Sequence, residues 1–236
     1  MKAMLFAAGL GTRLKPFTDS HPKALATVNG KTLLQHNIEY LQRYGIDEVV
    51  VNVHHFADQI EEVINQHNGF GSKVRISDER DAVLETGGGL KKAEPFFKHE
   101  ETFLVMNVDV LTNLDLNKLT GAHDKNHVAT LAVMDRTSSR HLLFDHAMIL
   151  CGWINNSSGE KKISVEKEDL LSFAFSGIQV LSKEIFSMPF EGKFSMIDVY
   201  LHFAKLQLVK GCDHTGDVFI DVGKPESLEK AHGLFL

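Results

Sequence analysis

The sequence predicts an α/β fold on a mixed, mostly parallel sheet, with helices on both faces and a small antiparallel lobe. Three observations point to it. Over the first 135 residues, short apolar runs of strand length alternate with segments of helical periodicity. One of those runs, Val49-Val50-Val51 with Val53, is β-branched and nearly continuous, as in strands covered on both faces. After Asp135 the rhythm changes to shorter strand-like runs joined by polar turns such as Asn155-Asn156-Ser157-Ser158-Gly159.

Each element follows in order. Residues 2–8 are short and apolar after the lysine, which reads as a buried strand. Residues 9–31 form a long loop, and loops of that length inside a domain are usually functional. Residues 32–44 place Leu34, Ile38 and Leu41 on one helix face, with Gly45 to stop it. Residues 47–54 are the valine-rich strand. A second helix over 57–67 turns Ile60, Val63 and Ile64 inward, and 73–77 is a short strand. Gly87, Gly88 and Gly89 read as a loop before a helix over 90–97 that Pro95 interrupts. Residues 103–106 are the next buried strand and run into Asn107-Val108-Asp109. Residues 116–125 are helical and 128–134 a strand. Residues 142–144, 148–154 and 173–181 are the antiparallel strands. Residues 195–206 carry Met196, Val199, Tyr200 and Phe203 at helical spacing, with Ser195 and Asp198 set as a capping box. Two strands (208–213 and 217–222) precede a closing helix over 225–234, with Pro225 in its first turn. No repeat, low-complexity tract or linker breaks the chain. Residues 1–236 read as one domain, with a core of about 1–135 and 170–236 and a small lobe of about 136–169.

The bulk numbers bound the function. A chain of 236 residues is long enough for one α/β domain with a real core. A net charge of -6 and a pI near 6.1 argue against general nucleic-acid binding. Cys151 and Cys212 are too few for a disulfide framework and fit a reduced, cytoplasmic setting. No apolar run approaches the roughly 20 residues of a membrane span, and the N-terminus lacks a signal-peptide pattern. The expectation is a cytoplasmic protein without nucleic-acid or membrane partners.

The most informative stretch is residues 1–31. It holds Lys2, Arg13, Lys15, Lys23 and Lys31 against one acid, Asp19. A cationic, glycine-rich loop after a strand suits a phosphorylated ligand, because glycine lets the backbone approach and aim its N–H groups. The two common nucleotide cradles do not fit. The Rossmann fingerprint needs a glycine or alanine where Leu14 stands, and the P-loop Gly-Lys-Ser/Thr is absent. Gly11-Thr12-Arg13 followed by Pro22-Lys23 is a different and more specific pattern.

Asp109 ends an apolar strand, and Asp221 sits inside Val218-Phe219-Ile220-Asp221-Val222. An isolated acid in such surroundings is costly without a partner. The two acids share a divalent cation, Mg²⁺ in phosphate company, or serve a salt bridge or helix cap. The glycine loop, Asn107-Val108-Asp109 and Asp221 all fall at expected strand ends, where α/β sheets bind ligands. His123 and His127 are spaced to share a helix face but have no third ligand, and His54 and His55 point apart.

Gly9-Leu10-Gly11-Thr12-Arg13-Leu14-x-Pro16-x-Thr18, followed by Pro22-Lys23-Ala24, resembles the signature of the sugar-1-phosphate nucleotidyltransferases. The resemblance extends through Leu84-Glu85-Thr86-Gly87-Gly88-Gly89, Asn107-Val108-Asp109, Phe175-Ser176-Gly177-Ile178 and Asp221-Val222-Gly223-x-Pro225, nearly the whole chain. The short length and the Glu-Thr-Gly-Gly-Gly variant are most similar to the N-acetylmuramate-1-phosphate uridylyltransferase group. Relatives of that group are often mannose-1-phosphate guanylyltransferases.

The resemblance implies a Rossmann-like nucleotide-diphospho-sugar transferase fold, a three-layer α/β/α sandwich whose small lobe lies on the sugar side. It implies that an NTP and a sugar 1-phosphate give an NDP-sugar and pyrophosphate, with Mg²⁺ as cofactor. Ala7, Ala8, Gly9, Gly11, Thr12 and Arg13 would bind the nucleotide, with Gly88 near the base. Lys23 would serve the reacting phosphates, Asn107 the ribose or sugar, and Gly177 the sugar ring. Asp109 and Asp221 would bind the metal, and Arg13, Lys23 and Asp109 would carry catalysis. The implied partners are UTP or GTP and a sugar 1-phosphate, first of all UTP with N-acetylmuramate 1-phosphate in cell-wall sugar recycling. Mannose- or heptose-1-phosphate guanylyl transfer is the alternative. Readings of another class are a metal-dependent glycosyltransferase, which Asn107-Val108-Asp109 nearly matches, and a non-catalytic nucleotide-sugar-binding regulator. Glu166-Lys167-Glu168 departs from the Glu-Lys-Pro motif that longer relatives place on the sugar, so no role is carried to it. A compact domain without extra helices favours a monomer.

Overall fold

In chain order the first elements are β1 (Ala3–Phe6), β2 (Thr27–Val28), β3 (Lys31–Thr32), α1 (Leu33–Gln42), β4 (Glu48–Val53), α2 (Ala57–Gln66) and β5 (Lys73–Asp78). The middle of the chain gives α3 (Glu85–Phe97), β6 (Thr102–Asn107), β7 (Val110–Thr112), α4 (Leu116–Ala122) and β8 (Ala129–Met134). Next come β9 (Arg140–Phe144), β10 (Leu150–Asn155), β11 (Lys161–Ile163) and β12 (Leu171–Ser182). Last are α5 (Met196–Ala204), β13 (Val209–Asp213), β14 (Phe219–Asp221) and α6 (Pro225–Leu234). The computed structural model describes residues 1–234; the last two residues of the expected 1–236 domain lie outside the described residues.

Ten strands share one mixed sheet, along the path β11-β10-β9-β12-β6-β1-β4-β5 with β8 and β13 branching from β12. β5, β4, β1 and β6 are parallel neighbours. β12 runs antiparallel to them and has three partners, one of which is β8 along residues 174–181. Residues 178–182 pair with β6, and residues 171–173 pair with β9. The antiparallel strands β9–β11 are therefore continuous with the main sheet through β12. The expected antiparallel strands are there, β9 and β12 longer than expected and β10 starting later, at Leu150, together with β11, whose Lys-Lys-Ile carries no readable pattern.

Alternation along β1 creates the layers: Ala3 and Leu5 face one core and Met4 the other. The first core takes Leu34, Ile38 and Leu41 of α1, Ala57, Ile60 and Ile64 of α2, and Leu116 and Leu119 of α4. The second takes Leu90, Ala93 and Phe97 of α3 and Met196, Val199, Tyr200 and Phe203 of α5. This is a three-layer α/β/α sandwich. At 10 residues each, α1 and α2 fall short of the roughly 12–15 that an isolated helix needs. Burial, at about 1.5–3 kcal/mol per large apolar side chain, holds them. Thr32 caps α1 by accepting from the Gln35 N–H at 3.0 Å. Among the described residues no helix is long and apolar enough to cross a membrane.

A third, smaller cluster matters most for function. Leu14, Val28, Leu33, Leu111, Ile220 and Ala231 pack together, joining the glycine-loop segment to β7, β14 and α6. That segment is no open loop: it makes three short 3-10 turns and the β2–β3 hairpin.

Other expectations are corrected here. Gly87, Gly88 and Gly89 lie inside α3, in its first turns, and the helix runs through Pro95. Val63 is only half-buried. Ser195 caps α5 by accepting from Ile197 N–H at 3.1 Å, while Asp198 lies 3.6 Å from Lys162 instead of closing a capping box. α4 ends at Ala122, so His123 and His127 share no helix face.

Candidate active site

The glycine loop is shaped by its neighbours. Ala7 and Ala8 leave β1 with both N–H groups donating to Asn52 Oδ1, at 2.7 and 3.3 Å. Gly11 is left-handed, at φ 62°, and a side chain there would meet Thr18 Cγ2 at 2.8 Å. Thr18 also donates its hydroxyl to Gly11 O at 2.9 Å. Only glycine fits this turn. Ala8, Gly9, Gly11 and Thr12 line a cleft of about 320 Å³ together with residues 83–86, Asn52 and Glu79. Gly88 stands apart from this cleft. It packs against the Gly192 carbonyl, and its N–H donates to Phe194 O.

Four charged residues from distant segments converge beside the loop. Lys23, almost fully buried, contacts the Asp109 carboxylate and lies 3.9 Å from Asp221. Arg13 lies 4.0 Å from Asp221 on the other side. Partial burial and then the nearby Asp109 charge push the Asp221 carboxyl above its usual range, against the pull of Lys23 and Arg13. Two carboxylates within reach of one ammonium are an oxygen donor set suited to a hard divalent cation. Among the described residues no third His, Cys, Asp or Glu joins them, so water and phosphate oxygens would complete the shell. The pair fits Mg²⁺.

A second cleft of about 700 Å³ adjoins the first, with Phe6 and Thr86 bordering both. Asp221, Arg13 and Asn107 line it together with Arg136, Arg140, Trp153 and Lys162. Gly177, at φ 72°, packs against Asn107; a side chain there would meet Asn107 Nδ2 at 2.7 Å. Lys167 of the departing Glu166-Lys167-Glu168 motif is paired with Asp145. Asn52, Glu79 and Arg136 had no sequence signal, because what defines them is contact with residues far away in the chain.

A profile of the family described as nucleotidyl transferase matches residues 2–142, which include the glycine loop, Lys23 and Asp109. The chain belongs to the nucleotidyl transferase family. Among curated members it is 30% identical to the N-acetylmuramate alpha-1-phosphate uridylyltransferase of Neisseria meningitidis, over 99% of this chain and 98% of that one. It is 32% identical to the D-glycero-alpha-D-manno-heptose 1-phosphate guanylyltransferase of Campylobacter jejuni, over 96% of each. The crystal structure of HddC from Yersinia pseudotuberculosis complexed with GMP-PN superposes with a TM-score of 0.78 at 28% identity, covering 100% of this chain and 99% of that one. This nucleotidyl transferase is a sugar-1-phosphate nucleotidyltransferase enzyme, not a glycosyltransferase or a non-catalytic regulator.

Proposed function

We propose that the enzyme transfers a uridylyl group from UTP to N-acetylmuramate 1-phosphate, giving UDP-N-acetylmuramate and pyrophosphate. The observation that carries this reading is the cationic lining of the larger cleft. Arg136, Arg140 and Lys162 line it, and Arg140 has no acidic partner among the described residues. A neutral sugar 1-phosphate brings only its phosphate, whereas N-acetylmuramate adds a lactyl carboxylate that a second cation would hold. The Neisseria relative, matched end to end, supports the same choice. Cys151 and Cys212, both buried and unpaired, agree with a cytoplasmic setting.

The sugar phosphate is anionic at neutral pH, so its oxygen needs no general base to attack the α-phosphorus. Pyrophosphate leaves in line, with inversion. The obstacle is repulsion between dianion and triphosphate, so positioning and charge stabilisation supply the rate. Ala7, Ala8, Gly9, Gly11 and Thr12 present backbone to the nucleotide. Residues 84–86 take the base contact expected of Gly88. Arg13 holds the triphosphate and steadies the departing pyrophosphate, and Lys23 neutralises charge at the reacting phosphates. Asn107 binds the ribose or sugar, with Gly177 behind it. Asp109 and Asp221 hold Mg²⁺, which supplies charge neutralisation at the phosphates when bound.

The second reading is heptose-1-phosphate guanylyl transfer, favoured by the Campylobacter relative and by GMP-PN in the Yersinia structure. A pyrophosphate-release screen separates the two. Four NTPs are tested against N-acetylmuramate, mannose, heptose and glucose 1-phosphates. UTP with N-acetylmuramate 1-phosphate is expected to be fastest; GTP with the heptose phosphate in that place would replace the first reading.

A further inference from the structure

Arg136 is a cation of the larger cleft that the signature motifs leave without a role. It lies just beyond β8 and lines the cleft with Asp221, Arg13 and Asn107. Two rigid strands fix its guanidinium. Nη2 donates to Phe175 O of β12 at 3.0 Å. The group also lies over the Phe219 ring of β14, 4.5 Å from its centroid, a favourable cation–π placement.

The remaining donors are poorly used. Nε is buried without a hydrogen-bond partner. No carboxylate among the described residues stands within ion-pair distance of Arg136, whereas Arg13 has one and Lys23 and Lys162 have two each. Burial works against its charge and lowers its pKa, and the nearby Asp221 opposes that shift. Charged side chains are rarely buried without a partner. A half-buried guanidinium with one neutral acceptor, beside the reacting centre, is best satisfied by an anion arriving from outside.

We propose that Arg136 binds the phosphate of the incoming sugar 1-phosphate, on the opposite side of Asp221 from the nucleotide loop. Two features favour that phosphate. Arg136 lines the larger cleft and is absent from the walls of the glycine-loop cleft; Arg13 shares that placement but belongs to the glycine loop itself, whereas Arg136 follows β8. Its ring partner Phe219 shares the three-residue strand β14 with Asp221, so guanidinium and carboxylate are held in one frame. A planar fork of donors also matches two phosphate oxygens better than an ammonium does. The role rests on the family reaction and not on which sugar is used.

Steady-state kinetics test it. Arg136→Met keeps an apolar stem over Phe219 and removes the charge; Arg136→Lys keeps charge and loses the fork. Pyrophosphate release is followed with N-acetylmuramate, mannose and heptose 1-phosphates at saturating NTP, then with NTP varied at saturating sugar. Arg136→Met is expected to raise KM for each accepted sugar 1-phosphate about 10- to 100-fold, the loss of a charge-assisted hydrogen bond. The KM for NTP should stay within about twofold and kcat within about threefold, the mark of binding energy shared by ground and transition states. Arg136→Lys should recover part of the loss. Unchanged sugar KM in both variants overturns the proposal, and so do sugar and NTP KM values that rise together. Should Arg136→Met unfold, Arg136→Lys still separates the outcomes through the same split. A wild type inactive on N-acetylmuramate 1-phosphate overturns only the choice of sugar, because the KM ratio is read on whichever sugar is accepted.

Discussion

Asn52 ties the end of β4 to Ala7, whose N–H donates to its Oδ1 at 2.7 Å. The same oxygen takes the Ala8 N–H, and Nδ2 donates to Glu79 at 2.8 Å. One buried amide thus sets the angle at which β1 enters the glycine loop. Asn52→Ala leaves the buried Ala7 N–H without its acceptor, a loss of about 1–3 kcal/mol. Thermal unfolding should show a lower Tm, and KM for NTP should rise several-fold while KM for the sugar phosphate holds. A normal Tm and NTP KM would remove Asn52 from this role.

Glu79 predicts a pH dependence. Burial holds its carboxyl above the usual range, against the hydrogen bond from Asn52. The folded chain then keeps this proton more tightly than the unfolded chain. As pH rises through the ordinary glutamate range, about 4.3, the unfolded chain ionises first, and stability falls until folded Glu79 has also ionised. Glu79→Gln removes that loss. Its Tm should exceed the wild type's at pH 8, and the gap should close as pH falls below the ordinary range. A gap that is constant across pH would contradict the assignment.

Arg13 and Lys15 are two residues apart and should behave differently. Arg13 reaches toward Asp221, whereas Lys15 makes an exposed pair with Asp19 at 2.8 Å. Arg13→Ala should lower kcat/KM about 10²- to 10³-fold, the scale of a lost charge-stabilising donor. Lys15→Ala should stay within about threefold, since exposed pairs contribute little. Equal effects in pyrophosphate-release assays would reject the distinction.

Ser176 and His214 look like a nucleophile and its base, with Oγ 2.7 Å from Nε2. Both are 1% exposed, and burial lowers the His214 pKa, against the pull of Asp217. The pair ties β12, at the residue before Gly177, to the end of β13, a structural role. Ser176→Ala should lower Tm, through the polar partner it leaves unpaired, yet keep kcat within about threefold. A collapse of kcat in a folded variant would point to covalent catalysis instead.

The legible parts of this fold were those where local and tertiary signals agree. Pro225 starts α6 as expected, and the helix expected from residue 32 begins there, with Thr32 as its cap. Asp109 and Asp221 stood out as acids in apolar runs, and the structure brings them to Lys23. The glycine triplet misled because helix propensity penalises glycine. In α3 those positions face Phe194, Gly192 and Glu79 too closely for any side chain, so packing overrides propensity. Arg136 and Asn52 were silent for another reason. Their partners Phe175, Phe219 and Ala7 lie some 40 or more positions away, and no local pattern encodes such contacts.

Asp109 and Asp221 form a carboxylate pair around Lys23, and the proposed reaction requires both. Turnover of Asp109→Asn, measured as pyrophosphate release at saturating Mg²⁺, UTP and N-acetylmuramate 1-phosphate, tests this most directly. A kcat at least about 100-fold below the wild type's, with a Tm close to it, is the predicted result. Near-normal turnover in the folded variant would contradict it.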